Sequence, residues 1–221
     1  MYRPLSFSGE TTFFQKVRSF DYLLIICVLL LGIISTFSMY SSEGGQVLYY
    51  TKSHFIRFSV FFLLMLVFSF IRPTSWHATG YFFYIVVLGL LFYASLYGIK
   101  ASGSQRWIDL HFVNLQPSEL MKIAIIVCFA KYYHRIQMST VNSLQGILIP
   151  IVILALPIFF VLSQPDLGTS VLIALSGIMV VWLSGVNIKY FIFSSLTLII
   201  SAPFVISFLK PYQKLRILSF F

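Results

Sequence analysis

Residues 143–188 read SLQGILIPIVILALPIFFVLSQPDLGTSVLIALSGIMVVWLSGVNI, two long apolar runs on either side of one acid, Asp166. A helix needs about 20 apolar residues to cross about 30 Å of hydrocarbon. Ser143–Ser163 and Leu167–Ile188 each supply roughly that length without a charge. Working outward, Tyr22–Met39, Ala78–Ile99 and Tyr190–Leu209 repeat the pattern. Two weaker spans fill the gaps: Phe55–Ile71, interrupted by Arg57, and Pro117–Ala130, interrupted by Glu119 and Lys122. Composition agrees, with 59% hydrophobic residues, 10% charged and a mean hydropathy of +0.93. A soluble domain carries roughly 25% charged residues. The expectation is an all-α polytopic membrane helix bundle of seven transmembrane helices, a single membrane domain over residues 1–221.

The first span is too long for a cleaved signal sequence, has no small-x-small site, and is followed at once by further spans. Cys27 and Cys128 both fall inside expected helices, where a thiol is an apolar filler rather than half of a disulfide. The histidines lie near span ends with no ligand-like spacing, so no metal site is expected.

A net charge of +9 in a soluble chain would suggest nucleic acid, but here the bases report topology, and no nucleic-acid partner is expected. With the N-terminus in the cytoplasm, Arg3, Lys16, Arg18, Arg72, Lys131, Arg135 and Lys189 fall inside, and Lys52, Arg57, Lys100 and Arg106 outside. Lys210, Lys214 and Arg216 then also fall outside, against the bias. Either they hold an anionic ligand or they rest at headgroup level.

Charges inside the apolar stretches need a reason, because each costs on the order of 2.5–3.5 kcal/mol at a bilayer centre and such groups mark sites or pathways. Two segments carry them: Gln116-Pro117-Ser118-Glu119-Leu120-Met121-Lys122 and Gln164-Pro165-Asp166-Leu167-Gly168-Thr169. Pro117 suits a first helical turn, and Glu119 then meets the helix dipole favourably. Glu119 and Lys122, three apart, share a face and can neutralise each other. Asp166 precedes the sixth span as an N-cap or as a cavity wall. Pro150, Pro157 and Pro203 can kink their helices and open a cavity. Helix–helix glue is the plain reading of the Glu–Lys pair. A polar ligand site is the other, favoured because Arg106, Glu119, Lys122 and Asp166 fall on one side of the membrane.

These residues resemble a known family. Gly103-Ser104-Gln105-Arg106-Trp107-Ile108-Asp109, Phe112, and Gln116-Pro117-Ser118-Glu119 with Lys122 look like the first signature of the SEDS proteins, the RodA/FtsW family. Gln164 to Thr169 resembles the second, and Tyr212-Gln213-Lys214-Leu215-Arg216-Ile217-Leu218-Ser219-Phe220 the start of the third. The details lie nearer the elongation-type members than the division-type ones. The resemblance implies an inner-membrane glycosyltransferase that polymerises lipid II into peptidoglycan during cell-wall elongation, with a class B penicillin-binding protein as partner. It implies a substrate cavity involving Arg106, Glu119, Lys122, Gln164 and Asp166, with Lys210, Lys214 and Arg216 as further cations. No cofactor is expected; a divalent cation would suit pyrophosphate chemistry, but no site for one is evident.

The family's essential aspartate lies in a large outer loop after the seventh span, and no residue of this sequence matches it. No catalytic residue is therefore assigned, and the expectation is a chain that stops before that loop, with doubtful activity of its own. Two alternatives stay open: a flippase or transporter of a lipid-linked precursor, and a non-catalytic remnant that binds a penicillin-binding protein.

Overall fold

The computed structural model describes residues 13–101, 104–110 and 114–208. The chain divides at Pro73/Thr74 into two compact units. The first contains α1 (Phe13–Arg18), α2 (Tyr22–Ser42) and α3 (Tyr49–Ser69). The second contains α4 (Pro73–Tyr97, which opens at the boundary), a small sheet, α5 (Pro117–Arg135), α6 (Leu144–Ser163), α7 (Leu167–Leu183) and α8 (Ile188–Phe208). Each of the seven expected spans is a helix. Four of them, α2, α3, α4 and α6, are long and apolar enough to cross a membrane. Of the others, α7 has 17 residues and α5 carries Glu119, Lys122, Lys131 and Arg135. Among the described residues, four helices thus qualify as crossings by length and composition.

In the first unit, α2 starts at Asp21, whose carboxylate accepts from Leu24 N at 3.1 Å. Its close approach to α3 occurs at Gly32, where a Cβ would run into the Phe58 ring. Between the helices, Ser35 Oγ lies 2.9 Å from His54 Nε2. Glu43 ends α2 and serves the start of α3, accepting from Leu48 N, Tyr50 N and Thr51 N and from the Thr51 hydroxyl. Desolvation pushes the Glu43 carboxyl up, but the bonds from Thr51, Tyr50 and Leu48 outweigh it and hold the group below its ordinary value. Outward positions of both helices are apolar, among them Leu23, Leu31, Phe37, Phe61 and Leu63, as a lipid-facing surface requires.

In the second unit the core joins Tyr84, Val87 and Leu91 of α4 to Met121, Ile125 and Phe129 of α5, Val161 of α6 and Ile173 of α7. Apolar surfaces gain little by leaving lipid, so close packing at small residues carries helix association in membranes. Gly177 shows it: a Cβ there would lie 2.7 Å from Leu154 and 3.2 Å from Ile125, at the junction of α7, α6 and α5. Pro150 and Pro157, expected as kinks, are both buried inside α6, which runs unbroken from Leu144 to Ser163. The side chain of Pro203 is not described.

Residues 99–115 join α4 to α5. They hold a three-stranded antiparallel sheet, β1 (Ile99–Ala101), β2 (Ser104–Asp109) and β3 (Asn114–Leu115), in the order β1-β2-β3. Lys100 pairs with Gln105 and Ile108 with Leu115. The side chain of Gln105 donates to Leu96 O at 3.0 Å, tying β2 to the end of α4.

Candidate functional site

The sheet lies at one end of the second unit, with the C-terminus of α4 and the N-terminus of α5, and β2 also touches α5. The short turn Gln164–Asp166 between α6 and α7 joins the same end. Gln164 is buried and its Nε2 donates to Leu91 O of α4 at 3.4 Å. Pro165 has φ 28, a value the proline ring strongly disfavours, so this turn is strained and its flanking contacts hold it.

Asp166 follows, and it is the N-cap that the sequence suggests. As N-cap of α7 it accepts from Thr169 N at 3.2 Å and from Thr169 Oγ1 at 2.9 Å. It also accepts from Arg106 Nη1 of β2 at 2.7 Å, across sixty positions of sequence. The Asp166 side chain is 11% exposed and that of Arg106 27%. Charge-assisted bonds of this length are the stronger class of hydrogen bond. Burial pushes the Asp166 carboxyl up, but the Thr169 N–H, the Thr169 hydroxyl and Arg106 outweigh burial and hold it below its ordinary value. Arg106 Nε is buried and has no partner among the described residues. Among the described residues, Arg106 is therefore anchored to Asp166 with its Nε donor left over.

α5 opens as its sequence suggests, with Pro117 in the first turn, although the Gln116 side chain makes no cap bond. Lys122 Nζ donates to Glu119 Oε2 at 2.8 Å. The Glu119 side chain is 54% exposed, so this pair is more open than Arg106–Asp166. α5 packs on α7, whose cap is Asp166, and touches β2, which carries Arg106. The structure thus brings Arg106, Glu119, Lys122, Gln164 and Asp166 to one end of one unit. Lys210, Lys214 and Arg216 lie outside the described residues.

Sequence reasoning missed Thr169, which binds Asp166 twice. Its signal was its place three residues after an N-cap acid. It also missed Gln105, whose anchoring role depends on strands that were not foreseen.

The fold and these embedded ion pairs define a polytopic membrane protein with a charged site built among its helices. The FTSW_RODA_SPOVE family model, described as a cell cycle protein, matches residues 15–221. Among relatives, the probable peptidoglycan glycosyltransferase FtsW of Buchnera aphidicola subsp. Schizaphis graminum is 36% identical over 80% of this chain and 51% of its own length. The peptidoglycan glycosyltransferase MrdB of Escherichia coli strain K12 is 32% identical over 81% of this chain and 47% of its own length. A chain from a structure of a peptidoglycan synthase complex matches 90% of this chain and 58% of its own length, with a TM-score of 0.78 at 22% identity. The Thermus thermophilus rod shape determining protein RodA matches 82% of this chain and 59% of its own, with a TM-score of 0.70 at 20% identity. At such identities the structures show a shared fold. The chain spans about half the length of the curated relatives it matches. It belongs to the FtsW/RodA family.

Proposed function

We propose that this chain forms the substrate-binding part of a peptidoglycan glycosyltransferase that polymerises lipid II during wall elongation, beside a class B penicillin-binding protein. The observation that carries the reading is the Arg106–Asp166 pair, its Arg106 Nε without a partner among the described residues, at the sheet end of a family-matched membrane unit. Relatives named peptidoglycan glycosyltransferases support the reaction class. The complex named for polymerization and crosslinking supports a partnered enzyme.

In the proposed reaction the 4-hydroxyl oxygen of one sugar bonds to the anomeric carbon of another. The bond from that carbon to the pyrophosphate oxygen breaks, and undecaprenyl pyrophosphate leaves with the electron pair. A carboxylate takes the hydroxyl proton, and cations offset the charge growing on the leaving group. Arg106 supplies a fixed cation with a spare donor, and Lys122, held by Glu119, a second. Lys210, Lys214 and Arg216 are proposed as further cations. Asp166 is a positioning residue, its carboxylate already committed to Thr169 and Arg106. The positive-inside bias of the loops supports an N-terminus in the cytoplasm of a bacterial inner membrane, with the sheet end outside.

The test is equilibrium binding of fluorescent lipid II to the purified chain in detergent. Saturable binding that weakens ten-fold to about a hundred-fold in Arg106→Ala is expected, the cost of a lost charged hydrogen bond. Unchanged binding in a folded Arg106→Ala protein contradicts the reading. Movement of lipid II across vesicles without glycan polymer, by protein carrying the complete family length, would favour transport instead.

A further inference from the structure

The opposite end of the second unit carries a different arrangement. There the start of α4 meets the end of α5: the rings of His77 and His134 stand edge to face, 4.8 Å between centroids. Lys131 is buried, and its Nζ donates to Ala78 O at 2.6 Å while lying 4.8 Å from the Tyr81 ring centroid. The Arg135 guanidinium also stands over that ring, 5.7 Å from its centroid. His77 Nε2 is buried and has no hydrogen-bond partner among the described residues.

No carboxylate balances these groups from within the unit. Its acids in the described residues are Asp109, Glu119 and Asp166, and all three belong to the sheet end. The neighbouring start of α6 brings none: Tyr132 and Tyr133 donate to Gln145 O and Gly146 O there. An unbalanced group of cations with a spare imidazole nitrogen calls for an external anion. Its position selects the kind. The cluster closes the end of apolar helices, with Trp76, Tyr81, Tyr132 and Tyr133 around it, the aromatic setting of a headgroup layer. Lys131 lies one helical turn, about 6 Å, deeper than Arg135, with its stem along Tyr81 as a snorkelling lysine places it. Basic pockets between membrane helices at this depth take lipid phosphates.

We propose that His77, Lys131, His134 and Arg135 form a binding site for the phosphate of an anionic membrane lipid, between α4 and α5. The site stands apart from the substrate reading, because it shares no residue with the sheet end. Arg135 and His134, both exposed, meet the phosphate first. His77 donates from Nε2, and Lys131 adds charge from beneath.

The experiment is native mass spectrometry of the purified chain titrated with phosphatidylglycerol, phosphatidylcholine or inorganic phosphate. Phosphatidylglycerol is expected to bind about twenty-five-fold more tightly than phosphatidylcholine, from about five-fold for each of two cations. Arg135→Ala, an exposed change that leaves packing intact, should lose about five-fold of that preference. His77→Ala should lower it too, and Lys52→Ala, in the first unit, should leave it unchanged. Equal binding of the two lipids overturns the proposal, as does a preference that survives both Arg135→Ala and His77→Ala. Inorganic phosphate held by the cluster without any lipid preference would also overturn it, assigning the site to a soluble anion.

Discussion

The two ends of the second unit solve the same electrostatic problem in opposite ways. At the sheet end Arg106 is paired with Asp166 and Lys122 with Glu119, so the protein supplies both signs. At the other end Lys131 is held by a backbone carbonyl and a tyrosine ring, and no described carboxylate of the unit stands near it. A charge that the chain neutralises for itself is aimed by its partner, as Arg106 is by Asp166. A charge left without a counter-ion is available to something outside the chain. The difference teaches that the sheet end is pre-organised, whereas the opposite end is completed by its surroundings.

Substitutions can break this contrast, and the largest effect belongs to the buried pair. Asp166→Ala removes the cap and leaves Arg106 without its counter-ion, and should cost about 3–5 kcal/mol in unfolding free energy, measured by denaturant titration in mixed micelles. Asp166→Asn retains a capping oxygen but loses the charge, and should cost about 1.5–3 kcal/mol. At the opposite end Lys131→Met strands no acid, so about 1 kcal/mol is expected. A cost for Lys131→Met equal to that for Asp166→Ala would erase the distinction between the ends. Glu119→Ala is the smallest, below about 1 kcal/mol, because its side chain is more than half exposed.

The pH dependence sharpens the same comparison. The Asp166 carboxyl titrates below its ordinary value in the folded chain. Its contribution is therefore fully present above the unfolded aspartate value, about 3.9, and is lost as pH falls through the lower folded value. Unfolding followed from pH 6 downward should show that loss in the parent chain and a shallower one in Asp166→Asn. Parallel curves would mean that Asp166 does not carry it.

Much of the helical framework was legible, because an apolar run bounded by polar residues has few solutions in a membrane. Asp166 caps where its sequence position suggests, and Asp21 and Ser143 do the same for α2 and α6 without having been singled out. The pair Glu119–Lys122 was legible too, since helical spacing alone brings it together. Arg106–Asp166 was legible only as two charges on one side, because their meeting depends on β2, which sequence pattern did not reveal. Its strands are short, and β1 and β3 have too few residues for an alternating pattern to register. His77 and His134 escaped for a similar reason: they come from different helices, and only the antiparallel run of α4 and α5 joins them.

The most direct test of the division of labour between the ends is photo-crosslinking of purified chain with lipid II carrying a photoreactive group near its pyrophosphate, followed by peptide mapping. The account predicts adducts in β2 and in the Gln164–Thr169 segment, lost in Arg106→Ala. Adducts concentrated between Lys131 and Gly146, unaffected by Arg106→Ala, would contradict it.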